Sequence, residues 1–230
     1  MDETERIRRA YAKRDQDGKG RLFSFFLPGH LFIHQQRERS ILQALEKTGL
    51  SDLSNLSVLE VGCGTGDNLR KLVEWGARPE NLFGMDLLED RIETARALSP
   101  NMNFQQGNAE DLSYPDGRFD LILCFTVFTS ILDSGMRGRV AQEMLRVLKP
   151  QGRILWYDYF IDNPRNPDVR SVTRRELSQL FPNCRLEMKR VTLAPPLARR
   201  LAPLSWVSCL LLEKIPLLRT HLLGVISKPC

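Results

Sequence analysis

Val58-Leu59-Glu60-Val61-Gly62-Cys63-Gly64-Thr65-Gly66 is the stretch from which the fold of this 230-residue chain can be read. Its first four residues form an apolar run of the length of a buried strand. The glycines at 62, 64 and 66 follow at once, and without Cβ atoms they let the backbone turn tightly and approach a ligand. Beyond them Leu69, Leu72 and Val73 recur at helical spacing, which predicts a helix running to Trp75. A helix that starts on such a turn offers unpaired N–H groups to a bound molecule. Twenty residues past Gly66, at the end of the next apolar run, stands Asp86, an acid placed to accept a hydrogen bond from each hydroxyl of a ribose.

The alternation continues along the chain. Residues 81–86 predict a second strand, 89–98 a second helix, 102–106 a third strand, 119–125 a fourth, 139–148 a helix and 153–160 a fifth strand. Strands separated by helices of this length build a parallel sheet covered on both faces, and right-handed crossovers make it a doubly wound, Rossmann-like three-layer α/β/α sandwich. In front lie a polar helix at 3–16, a charged loop at 15–21, an aromatic segment, and a helix to Lys47 with Ile33, Ile41, Leu42 and Leu45 turned inward. Behind the fifth strand, Thr173 and Glu176 have the spacing of a capping box. Residues 184–193 and 219–227 read as strands, with two short proline-broken helices between them. No repeat or linker interrupts this order. It gives one α/β domain at 51–230 behind an N-terminal helical extension, or lid, at 1–50.

The glycine pattern discriminates between nucleotides. A pyrophosphate cofactor favours G-x-G-x-x-G, whereas this loop is G-x-G-x-G and carries Glu60 at its entrance. A carboxylate there repels a pyrophosphate but suits a ligand with an ammonium or sulfonium group. The loop therefore points away from NAD and towards S-adenosyl-L-methionine.

Four segments, VLEVGCGTG (58–66), FGMD (83–86), GNAEDLSYPDGRFDLILC (107–124) and MLRVLKPQGRIL (144–155), resemble in order and spacing the successive motifs of class I S-adenosylmethionine-dependent methyltransferases of the small-molecule "type 11" kind. The resemblance implies a seven-stranded, mostly parallel sheet of order 3-2-1-4-5-7-6 with the last strand antiparallel. It also implies roles for particular residues. Gly62, Cys63, Gly64 and Gly66 would shape the methionine and ribose site, with Glu60 holding the loop. Asp86 would bind the ribose and Leu87 would pack on the adenine face. Asn108, where many relatives have Asp, and Ala109 would meet the adenine edge, with Glu110 beside them. Cys124 and Phe125 would border the transferring methyl.

Methyl transfer from a sulfonium needs alignment and a dry site, and it needs a base only where the acceptor holds its proton at neutral pH. His34, Asp158 and Tyr11 are the expected catalytic side chains, with His30, Tyr157 and Tyr159 as further candidates. Packing, capping and ion pairing are their ordinary roles, and these compete with a catalytic one. Phe23, Phe25, Phe26 and Phe32 fit either an apolar lid or the docking of the N-terminal helices. The tail at 197–218, with Arg199, Arg200, Lys214 and Arg219 nearby, reads as packing against the last strands, with a membrane-touching surface helix as the rival.

Composition sets the outer limits. Thirty-three basic and 28 acidic residues leave a net charge of +5, and the excess lies entirely in residues 151–230. Five cysteines with no C-x-x-C pair argue against a disulfide framework or a zinc site. The longest apolar stretches run about 12 residues where a span needs about 20, so the sequence predicts a soluble, cytoplasmic protein. Cys124-Phe125-Thr126-Val127 stands where DNA amino-methylating enzymes carry [ND]-P-P-[YFW], and the acids of a catechol-type magnesium site are missing there. The expected partner is a small-molecule methyl acceptor, with no nucleic acid and no metal. An RNA or protein methyltransferase and a non-catalytic cofactor-binding module are the rivals on the same fold.

Overall fold

A computed structural model describes residues 2–16, 22, 24–163 and 166–229. Phe23, most of the loop at 15–21 and part of the proline-rich loop at 163–167 fall outside the described residues. Seven strands form one sheet of order β3-β2-β1-β4-β5-β7-β6. They are β1 (Val58–Val61), β2 (Leu82–Asp86), β3 (Asn103–Gln106), β4 (Phe119–Phe125), β5 (Leu148–Tyr159), β6 (Arg185–Leu193) and β7 (Arg219–Ser227). The first five run parallel, and β7 is antiparallel to both β5 and β6. This is the fold and strand order that the sequence predicts.

Side-chain alternation divides the apolar residues of the central strands between two cores. Leu59, Val61, Ile122, Cys124, Ile154 and Trp156 face one side, where α5 (Ser134–Val147) and α6 (Arg174–Leu180) cover them. Val58, Leu121, Leu123 and Leu155 face the other. There they meet α2 (Pro28–Lys47), α3 (Asp67–Glu74) and α4 (Glu89–Leu98). A third cluster joins Phe32 of α2 to Leu193, Ala198, Ala202 and Cys209, which lie on or beside α7 (Pro195–Leu201) and α8 (Trp206–Leu212). The remaining helix, α1 (Glu3–Gln16), reaches the first core through buried Ile7.

Four local expectations are corrected. The helix expected at 139–148 begins at Ser134, because the Asp133 carboxylate caps it by accepting the Met136 N–H at 2.6 Å. The fifth strand starts at Leu148, which pairs with Phe119 ahead of a register shift. Leu42 is exposed rather than inward; the inner side of α2 is Phe32, Gln36, Ile41 and Leu45. Of the capping box only half forms. Thr173 accepts from the Glu176 N–H, while the Glu176 carboxylate turns to Arg137 and Arg170.

Gly29 fixes how closely α2 approaches α7. A Cβ there would stand 2.5 Å from the Arg199 Cα and 3.0 Å from the Ala198 carbonyl oxygen, both backbone atoms that cannot step aside. Gly29→Ala is expected to lower stability by about 1–3 kcal/mol. Urea denaturation measures the difference, and an unchanged midpoint would contradict the tight crossing.

Candidate functional site

At the carboxyl ends of β1, β2 and β4 the sheet opens into a cleft of about 740 Å³. Its floor is the turn from β1 to α3. Gly62, Gly64 and Gly66 hold positive φ angles of 70°, 52° and 82°, a conformation that strains residues with a Cβ. The N–H groups of Gly62 and Cys63 converge on the Met85 carbonyl at 2.8 and 2.9 Å. A Cβ on Gly62 would fall 2.5 Å from Val127 Cγ2, so this glycine also lets the loop after β4 close over the turn. Gly66 lies off the cleft, under the start of α3 with the Phe104 ring against it.

Asp86 ties the turn to the next strand. Its Oδ2 accepts the Gly64 N–H at 2.7 Å and its Oδ1 accepts the Leu88 N–H at 3.0 Å. Burial raises the Asp86 pKa above the usual carboxylate value, and these backbone donors oppose the rise. Cys63 sits beside it, buried, with its thiol pKa pushed up by burial and by the nearby Glu60 and Asp86 carboxylates.

Glu60 lies behind the turn, fully enclosed. Its Oε1 accepts from Asn68 Nδ2 at 2.6 Å, while Oε2 has no hydrogen-bond partner. Burial pushes its pKa up to about 8, against the pull of Asn68 and Arg37. Asn68 in turn accepts from Arg37 Nη2 at 2.9 Å, which links α2 to the glycine turn. The same Nη2 stands 3.1 Å from His34 Nε2, and His34 Nδ1 stands 3.1 Å from Glu38 Oε1. A guanidinium can only donate, so Nε2 accepts and Nδ1 carries the proton towards Glu38. Burial and the Arg37 charge push the His34 pKa down to about 4, leaving the ring neutral at pH 7.

The cleft gathers most of the expected residues. Gly62, Cys63, Gly64, Asp86, Leu87, Asn108, Ala109 and Phe125 line it, as do Tyr11, His30 and His34 from the N-terminal helices. Asn108 is occupied by its neighbour, donating to Glu110 Oε2 at 2.9 Å and accepting the Glu110 N–H at 3.1 Å. Tyr11 OH lies 3.2 Å from Ser130 Oγ. Phe25 leans its ring edge on His30 and His34 at the mouth, whereas Phe32 is core.

Other expected residues stand elsewhere. Asp158 is fully buried outside the cleft wall, accepting from Thr129 N at 3.0 Å, Thr129 Oγ1 at 2.7 Å and Tyr159 N at 2.9 Å. Burial lifts its pKa to about 6. It therefore holds the turn at Phe128–Ser130 and does not line the cleft. Tyr157 is buried with its OH 2.8 Å from Thr192 Oγ1, and both Tyr157 and Tyr159 contact the His221 ring. Cys124 is core beneath the cleft. Sequence reasoning missed Arg37, Asn68 and Val127. The first was legible in part: His34, Arg37 and Glu38 fall on one helix face at spacings of three and four. Among the described residues no group of three or more His, Cys, Asp or Glu side chains is placed to hold a metal ion.

Comparison with known proteins places this geometry. Residues 58–152 match the family model described as "Methyltransferase domain". Over 124 residues the chain is 32% identical to a demethylmenaquinone methyltransferase of Lactococcus lactis, covering 52% of this chain and 48% of the relative. A fatty-acid O-methyltransferase of Mycolicibacterium smegmatis is 34% identical over 47% of this chain and 39% of its own length. The chain thus spans about half the length, or less, of these curated relatives. The solved structure of YcgJ from Bacillus subtilis superposes with a TM-score of 0.61 over 84% of this chain and all of its own, at 17% identity, a likeness of fold.

The buried Glu60 generates a pH prediction. Its native pKa, about 8, lies above the ordinary carboxylate value of 4.5, so the native state holds its proton more tightly than the unfolded chain does. The resulting stability is full below about pH 4.5 and is lost as pH rises towards 8. Glu60→Gln is expected to flatten that loss. Denaturation at pH 5, 6.5 and 8, each about a unit or more apart, measures it, and parallel curves for both proteins would contradict the assignment.

Proposed function

We propose that this chain, whose residues 58–152 match a methyltransferase domain, is a class I S-adenosylmethionine-dependent methyltransferase that transfers a methyl group to an oxygen or nitrogen atom of a small, partly apolar acceptor. The observation that carries the reading is the pair of carboxylates around the glycine turn. Each Asp86 oxygen accepts one backbone N–H and keeps one acceptor position free for a ribose hydroxyl. Glu60, enclosed behind the turn with Oε2 unpartnered, holds its proton in the protein alone, and a cationic group brought close to the turn would favour its ionised form. Arg37 lines the cleft with an Nε that also lacks a partner, a donor for the carboxylate end of an amino-acid ligand. The residues present thus fit S-adenosylmethionine. When bound, it supplies an electrophilic methyl on a sulfonium that leaves without acid assistance.

The rest is alignment and exclusion of water. Leu87 and Ala109 would pack on the adenine, with Asn108 at its edge. Phe25, Phe125, Val127, Ile131 and Met136 give the cleft wall an apolar stretch against which a largely hydrophobic acceptor would lie. The polar groups there include the Tyr11–Ser130 hydroxyl pair, Thr126, His30 and the neutral His34. His34 would take the acceptor's proton at Nε2 only once Arg37 Nη2 leaves that nitrogen for a ligand. Asp158, through Thr129, is a positioning residue for the loop that carries Val127 and Ser130. The likeness to a demethylmenaquinone methyltransferase favours a quinone-like acceptor as a second reading.

Calorimetry with S-adenosylmethionine is expected to give a roughly micromolar dissociation constant. No heat at millimolar cofactor would end the proposal, and binding without turnover across panels of phenols, quinols, amines and fatty acids would favour a non-catalytic module. Asp86→Ala should weaken cofactor binding by about 1–3 kcal/mol. A Cβ on Gly64 would meet nothing within 4 Å, so the side chain of Gly64→Val projects into open space at a strained φ of 52°. That variant should fold but lose the cofactor; full activity would contradict the loop assignment. His34→Ala should lower turnover at unchanged cofactor affinity, and equal turnover would remove His34 as the base.

A further inference from the structure

The 25-residue connection between β6 and β7, 194–218, folds as α7 and α8 and has two apolar faces. One is satisfied: Ala198, Ala202 and Cys209 are buried against Phe32 and Leu193. The other is bare. Val207 and Leu211, four apart on α8, are 64% and 61% exposed, and Leu204, in the turn ahead of that helix, is 83% exposed. Leu217, in the turn that leads to β7, is 82% exposed. Phe26, two residues ahead of α2, is 97% exposed, and the start of α2 lies against α7 through the contact of Gly29 with Arg199.

The exposed charges of the connection are all basic. Arg199, Arg200 and Lys214 are exposed, and no described carboxylate forms an ion pair with any of them. The one acid in the connection, Glu213, is held by Arg39 at 2.9 Å. Apolar side chains standing out of a basic rim match the layering of an anionic bilayer, with phosphates at the level of the bases and acyl chains beneath. A second copy of the chain is a poorer occupant, since a two-fold contact through this face would bring the same cations together. We propose that the outer face of the α7–α8 connection, with Phe26, docks this protein on anionic phospholipid membranes.

The docked orientation also bears on the cleft. Phe25, adjacent to Phe26 in the chain, lines the cleft mouth beside His30 and His34. With the methyltransferase reading, on which this consequence alone rests, the acceptor is an amphiphile that enters from the lipid.

Flotation with vesicles of phosphatidylcholine, with and without phosphatidylglycerol, tests the docking without any turnover. Wild-type protein should float at least about tenfold more with the anionic vesicles, and added salt should reduce the difference. The triple variant Leu204→Glu, Val207→Glu, Leu211→Glu should lose flotation by a similar factor while keeping its thermal melt and its cofactor calorimetry. The double variant Arg199→Gln, Arg200→Gln, which leaves the apolar stripe intact, should lose most of the preference for anionic lipid. Absence of flotation on any vesicle, equal flotation by both compositions, or undiminished flotation by the triple variant would overturn the proposal. So would a wild-type dimer that the triple variant converts to a monomer. A protein that floats but binds no cofactor would keep the docking and remove the enzymatic reading.

Discussion

Three consecutive backbone N–H groups, those of Gly62, Cys63 and Gly64, are claimed by the end of β2: two by the Met85 carbonyl and one by the Asp86 carboxylate. Everything at the carboxyl edge of the sheet follows from that stitching. It bends the chain sharply off β1, sets the direction in which α3 departs, and leaves the space between β1 and β2 open above the turn. It also brings Asp86 into a largely enclosed position, where desolvation works against its charge and the donated N–H groups offset the cost. The site is thus assembled before any ligand arrives, which spares binding the work of ordering the loop.

Much of this was legible in the sequence because local chemistry and fold agree there. The glycine spacing, the acid twenty residues on, and the alternation of strand and helix each point to the same sheet. The lining of the cleft follows residue by residue, since backbone turns and strand ends fix where those side chains lie. The expected catalytic acid shows where such reading stops. Asp158 does end a strand at the ligand-binding edge, but β5 is flanked on both sides, and the loop after β4 folds over its end. Thr129 reaches the carboxylate first, from 29 residues away, and nothing in the local pattern announces that partner. Arg37 was missed for the converse reason. A charged residue on an exposed-looking helix acquires its meaning only once α2 lies against α3 and Asn68 meets it.

The N-terminal helices and the α7–α8 connection depend on each other. Gln36, buried on α2, accepts the Leu193 N–H on its Oε1 at 2.8 Å, and Phe32 sets its ring edge on Trp206. The helix that borders the cleft mouth is therefore braced by the segment that also presents the bare apolar face. In sequence both faces of α8 read alike, as leucine, valine and tryptophan. Which one is covered is decided by the tertiary neighbour on α2, and periodicity alone cannot supply that.

Cys63 carries a chemical consequence of its setting. Its sulfur sits in the wall of a cleft suited to an alkylating sulfonium, and as a thiolate it would be the strongest nucleophile there. Enclosure and the two adjacent carboxylates keep it in the thiol form. If the cleft takes the proposed reagent, an arrangement that disfavours the anion would spare the protein from consuming it: the same acids would guard this side chain against self-alkylation.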